Sequence, residues 1–281
     1  MMRLSFVWIV SESELPPFTV HALARQCVIG VMGGTMRTLL LSCLAMLRVA
    51  AEIPSEPPMY LHLIRSPRQG DLLRRAYEKA QVPVNVFGLR SVTGAAESWF
   101  VEWHDSFQSI GEADRAVQAE LTAPGTMPVD LSDQTAQIAM YRPNWSYRPD
   151  LAIKAFARAR YVQVIVHHFR PGSDSDFGEL MKARRSGLDR LNLDRPDIVY
   201  QVVSGTTTET FIVLTPMATL KTLDDAIARI PASGEAGPRP RDKVAAEIEL
   251  NRENLLFRVD PGYSFVDQSF VDADPEFWRR R

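Results

Sequence analysis

Four blocks of this sequence recur in the same order, and that repetition constrains the fold more than any other feature. Val86-Phe87-Gly88-Leu89-Arg90-Ser91-Val92-Thr93-Gly94 with Ser98-Trp99-Phe100-Val101 lines up with Asp197-Ile198-Val199-Tyr200-Gln201-Val202-Val203-Ser204-Gly205 with Glu209-Thr210-Phe211-Ile212. The same spacing separates Gly94 from Gly205 and Phe100 from Phe211. Ser109-Ile110-Gly111-Glu112-Ala113 corresponds to Thr222-Leu223-Asp224-Asp225-Ala226. Met59 to Ile64 corresponds to Arg160 to Ile165, and Arg142-Pro143-Asn144-Trp145-Ser146-Tyr147 to Asp260-Pro261-Gly262-Tyr263-Ser264-Phe265. A chain that repeats itself this way builds two similar halves.

Periodicity gives each half an order of elements. In the first, 59–66 alternates as a strand and Asp71–Ala80 has helical spacing, with Leu72, Leu73, Ala76 and Tyr77 on one side. Strands at 84–93 and 97–104 turn at Gly94. Ser109–Leu121 is a helix opened by a Ser109/Glu112 capping box, and Ile138–Tyr141 a short last strand. The second half reads as a strand at 161–170, a Pro171-Gly172 turn, and a helix from the Ser173–Asp176 cap to about Leu191. Strands at 197–204 and 209–215, a helix Thr219–Ile230, a proline-rich insertion Gly234–Pro240, a helix Asp242–Arg252 and a strand Leu255–Val259 follow. The fold class is therefore α+β: two tandem ferredoxin-like βαββαβ units with antiparallel sheets.

This pattern resembles the dimeric α+β barrel superfamily, which includes antibiotic-biosynthesis-monooxygenase-like and NIPSNAP-like proteins. The residues that carry the resemblance are Pro171-Gly172 before Phe177, the Val203-Ser204-Gly205 hairpin and the strand after it. In that superfamily two subunits usually pair face to face. The resemblance implies that here the duplication supplies both, as a pseudo-dimeric barrel. It implies no particular activity, because fold does not determine function.

The N-terminal region reads differently. Met36-Arg37-Thr38 is basic, Leu39–Leu47 is an apolar run, and Val49-Ala50-Ala51 ends it with small residues before a polar, proline-rich stretch. That is the layout of a secretory signal peptide cleaved after Ala51, with Arg48 as an irregularity. The run is shorter than the roughly 20 residues a membrane-spanning helix needs. The expected divisions are 1–51 as upstream segment and signal, 52–157 as first half with connector, and 158–281 as second half with tail. Export to a periplasmic or extracellular location follows. Cys27 and Cys43 both precede the cleavage site, so the mature chain is expected to have no thiol chemistry, disulfide or cysteine-held metal.

The 281 residues are 46% hydrophobic and 23% charged, with a formal net charge of −2. That balance gives no basic footprint for nucleic acid. No P-loop, Gly-x-Ser-x-Gly elbow, His-Glu-x-x-His or Cys-x-x-Cys is present. Alternation divides the third strand of the first half into a Trp99/Val101/Trp103 face, suited to helix packing, and a Phe100/Glu102/His104 face. The second face is expected to line the barrel interior. His62 and His167 on the first strands and Arg90 on the second join it, with Gln163 matched to His62 and Gln201 to Arg90.

The candidate ligand-binding residues are thus His62, Arg90, Glu102, His104, Gln163, His167 and Gln201. A solvated polar sheet face would explain the same alternation. Adjacent His167 and His168 point to opposite faces of a strand, so they do not form a metal pair, and no metal site is expected. The expected function is an exported protein that binds a small ligand or a protein partner. The alternative is a cofactor-independent oxygenase-like or isomerase-like enzyme with His62 or His104 as base. No cofactor is expected; the minor alternative is haem on His62, His104 or His167.

Overall fold

Alternating β-branched and aromatic positions form eight strands, and the order of their pairing explains the duplication. The computed structural model describes residues 52–124, 132–229 and 247–279. The proposed signal segment, both cysteines and the 234–240 insertion lie outside the described residues. The first unit contributes β1 (Tyr60–Ser66), α1 (Gly70–Ala80), β2 (Asn85–Ser91), β3 (Ser98–His104), α2 (Phe107–Leu121) and β4 (Thr135–Tyr141). After a connecting helix α3 (Pro149–Phe156), the second contributes β5 (Tyr161–Phe169), α4 (Asp174–Arg190), β6 (Ile198–Ser204), β7 (Glu209–Met217), α5 (Lys221–Arg229) and β8 (Glu249–Val259).

The strands close one antiparallel barrel in the order β1-β3-β2-β8-β5-β7-β6-β4. Each unit has the ferredoxin-like order: fourth, first, third, second strand. The seams are symmetric. β2 joins β8 through Leu89 opposite Val259, and β6 joins β4 through Val202 opposite Ala139. Gly94 and Gly205 occupy equivalent hairpins, both with positive φ (82° and 93°). Phe100 and Phe211 occupy equivalent third strands.

Two local expectations change, and one helix was not expected. Residues Glu249–Arg252 extend β8 instead of ending a helix. α2 starts two residues early, capped by Ser106, whose side chain accepts from the Ser109 amide; no capping box forms on Ser109. The helix α3 was not legible in the repeat, because it belongs to the connector.

One apolar cluster takes inward-facing residues from all eight strands, among them Leu61, Phe87, Trp99, Trp103, Val164, Tyr200, Leu214 and Phe257. Phe156 of α3 and Phe270 and Trp278 of the C-terminal segment close one end, with Phe87 5.4 Å from Phe156 and from Phe270 between ring centroids. Two smaller clusters lie outside the barrel wall. One joins Tyr77 of α1 and Val117 of α2 to Val86 and Phe100; the other joins Phe177 of α4 to Val199, Phe211 and Val213. Both faces of the wall are therefore covered, the inner by the opposite sheet and the outer by helices.

This reverses the expected facing. Trp99, Val101 and Trp103 fill the barrel, while Phe100, Glu102 and His104 lie outside it beneath α1 and α2. Period-two alternation separates two faces, but it does not say which one a barrel turns inward.

Candidate functional site

β1 and β3 run antiparallel with His62 directly opposite Glu102, and His104 lies two residues further along β3 on the same face. The three side chains converge. His62 Nδ1 is 2.7 Å and His104 Nε2 2.9 Å from the same oxygen, Glu102 Oε2. The other carboxylate oxygen, Oε1, accepts a short hydrogen bond from the Tyr77 hydroxyl of α1. His104 Nδ1 lies 3.0 Å from Ser109 Oγ of α2. The Ser109 hydroxyl donates to the Ser106 carbonyl at 2.9 Å. Ser109 Oγ thus bridges His104 Nδ1 and the Ser106 carbonyl. Glu102 and His104 are each 1% exposed, and His62 is 8% exposed.

A buried carboxylate is costly unless it is fully hydrogen-bonded. Burial alone would raise the Glu102 pKa; hydrogen bonds from His104 and His62, the charge of His62 and the Tyr77 hydroxyl outweigh it and bring it to about 2. Glu102 is held as a carboxylate. Burial pushes the Tyr77 hydroxyl well above its ordinary range, helped by the negative charge of Glu102 and their hydrogen bond. Tyr77 is therefore a donor. His104 Nε2 and His62 Nδ1 face the same Glu102 oxygen, and each is placed to donate an N–H to it.

His62 is the accessible member. With Nδ1 turned to Glu102, Nε2 is the nitrogen left to exchange a proton, and it makes no hydrogen bond among the described residues. The arrangement can orient an imidazole, hold its tautomer and stabilise the imidazolium formed when Nε2 takes a proton.

The other candidates lie on the same outer wall but apart from this cluster. Arg90 is exposed, 3.5 Å from Asp260 and stacked over Tyr263. Gln163 donates to Asn254 at 2.8 Å and accepts from Arg195, and Gln201 accepts from Arg142 Nε at 2.8 Å. His167 bonds Glu249 through Nδ1 at 2.7 Å, between the rings of Phe169 and Phe177. His168 faces the opposite way, toward Thr208 and Thr210. None of the seven lines the barrel interior. The matching of His62 to Gln163 also shifts: the residue opposite Val213, the counterpart of Glu102, is Ile165, and Gln163 lies opposite Thr215.

Two members were missed as site residues. Tyr77 reads in sequence as part of the apolar stripe of α1, and Ser109 as a helix cap. Neither carries a sequence signal for the site, because both reach it only when the helices dock.

No protein-family model matches the chain, and no curated protein matches it. Among solved structures, an anthrone oxidase-like protein is 11% identical, with a TM-score of 0.47, covering 74% of this chain and 93% of that one. A candidate monooxygenase from Lactobacillus acidophilus NCFM is 9% identical, with a TM-score of 0.42, covering 71% and 93%. A double mutant of chlorite dismutase from Candidatus Nitrospira defluvii is 8% identical, with a TM-score of 0.44, covering 80% and 97%. At these identities and scores none of their activities transfers to this chain, whose own strand order identifies it as a duplicated, pseudo-dimeric α+β barrel.

Proposed function

We propose that this chain is an enzyme of small molecules whose proton-transfer site lies beneath α1 and α2, with His62 as general base and Glu102 as its orienting carboxylate. The observation that carries this reading is internal. The fold positions of His62, Glu102 and His104 are filled in the second unit by Ile165, Val213 and Thr215. The architecture therefore does not need ionisable groups there, yet the first unit buries three ionisable side chains and a tyrosine hydroxyl.

Nδ1–H of His62 points to Glu102, so Nε2 is the basic nitrogen. Glu102 stabilises the imidazolium after proton uptake, and Tyr77 and His104 keep Glu102 ionised. Proton abstraction from a carbon or oxygen acid is the chemistry this supports, as in an isomerase or a cofactor-independent oxygenase. The test is a panel of small ketones and phenols, followed by turnover and by solvent-deuterium incorporation. A compound transformed by the wild-type chain is expected to lose on the order of 100-fold or more in rate with His62→Gln. Equal turnover by that variant would remove His62 as base.

Haem is a second cofactor reading. His104 has both ring nitrogens engaged, which leaves Nε2 of His62 and of His167 as the candidate axial atoms. A Soret band in the purified protein would support it. Export is part of the proposal, supported by the residue order of 36–51. N-terminal sequencing of the protein from its native host is expected to begin near Glu52. No helix among the described residues is long and apolar enough to cross a membrane.

A further inference from the structure

The cluster beneath α1 and α2 has a property that a simple His–carboxylate dyad does not need. Two imidazoles approach one carboxylate oxygen from different strands. One ring nitrogen of His62, one of His104 and a Glu102 oxygen all lie within 4.8 Å of one another. Two of the three separations are 2.7 and 2.9 Å. Around a transition-metal ion with ligand distances of about 2.0–2.2 Å, neighbouring donor atoms sit roughly 3.0–3.5 Å apart. The two nitrogen–oxygen separations need to widen by only about a few tenths of an ångström to admit an ion, and the imidazole nitrogens need to settle at a similar spacing.

The surrounding bonds fit the same purpose. Metal-bound imidazoles usually donate their other N–H to a fixed acceptor, and ligating carboxylates are themselves hydrogen-bonded. Ser109 Oγ, 3.0 Å from His104 Nδ1, is placed to accept its N–H when Nε2 holds an ion. Tyr77 occupies Oε1 and leaves Oε2 toward the two histidines.

We propose that His62 Nδ1, His104 Nε2 and Glu102 Oε2 form a three-ligand site for a divalent transition metal such as Zn2+ or Fe2+. Imidazole and carboxylate donors suit these ions. This inference deepens the reading of the site as an enzyme centre and rests on it only for the use made of the ion. With the ion bound, the same atoms polarise a substrate oxygen instead of holding His62 ready as a base.

The test uses the full chain purified without chelator and without a histidine tag. Metal content is measured by elemental mass spectrometry, and Zn2+ and Co2+ are then titrated calorimetrically. The wild-type chain is expected to bind about one equivalent with micromolar or tighter affinity, and Co2+ to give visible absorption of a mixed nitrogen–oxygen site. Thermal midpoint is expected to rise by roughly 5 °C or more in hundredfold excess over the dissociation constant.

The control variant combines His62→Ile, Glu102→Val, His104→Thr and Tyr77→Phe. Its first three changes import the residues of the second unit, so it is expected to fold and to bind no ion. Absence of binding to the wild-type chain would overturn the inference, as would binding that persists in the folded fourfold variant. Metal-free turnover that still falls with His62→Gln would reject the metal while leaving the proton-transfer reading intact.

Discussion

Glu102 and Val213 hold the same place in the two halves of the barrel, Glu102 opposite His62 and Val213 opposite Ile165. One fold position is thus solved twice, once with a buried charge and once with hydrocarbon. The hydrocarbon solution costs no desolvation, so the polar one stands out as a departure from what the fold requires.

Removing only the charge is expected to be worse than removing the whole cluster. Glu102→Val leaves Tyr77, His62 and His104 donors facing an apolar group, and should destabilise the chain by about 3–5 kcal/mol. The fourfold variant described above should be near wild-type or more stable. Urea unfolding of the two variants beside the wild type measures the difference. Comparable losses in both would show that the second unit's residues do not repack in the first.

Acid should find the same group. Hydrogen bonds to Glu102 more than offset its burial and lower its pKa to about 2, from the ordinary 4.5. A lowered carboxylate contributes stability that is present above its unfolded value and is lost as pH falls through its folded value. The metal-free wild type is expected to lose on the order of 3 kcal/mol between about pH 4.5 and 2 that the fourfold variant does not lose. Superimposable acid limbs of the two unfolding curves would contradict it.

The two hairpin glycines should respond unequally. A Cβ on Gly205 would sit 2.3 Å from the Ala136 carbonyl oxygen, across the seam between β4 and β6, at a φ of +93°. One on Gly94 would meet only the end of the Leu255 side chain, at 3.0 Å. Gly94→Ala should cost about 1–2 kcal/mol from backbone strain alone. Gly205→Ala should cost more, since backbone cannot yield as a side chain does. Thermal unfolding of the two single variants orders them.

The closed end of the barrel depends on the C-terminal segment. Trp278 is 3% exposed, packs 6.1 Å from Phe87 and donates its indole N–H to the Ala157 carbonyl at 2.8 Å. Trp278→Ala is expected to cost about 3–5 kcal/mol through the cavity it leaves. A loss below 1 kcal/mol in denaturant unfolding would mean that the segment is not part of the core.

The βαββαβ order of each half, the duplication and the positions of the hairpins were determined by the sequence, because they depend on local periodicity and on glycines that tolerate positive φ. The two faces of β3 were also separable there, since alternate side chains point oppositely. Which face turns inward was decided only by closure: in a barrel covered by helices both faces are buried, so hydrophobicity does not distinguish them. Partnership was decided by register. His62 meets Glu102 because β1 and β3 pair at that offset, and Gln163 loses its supposed equivalence because β5 and β7 pair at another. Tyr77 and Ser109 enter the site only through the docking of α1 and α2, a long-range packing event that no spacing within either helix encodes.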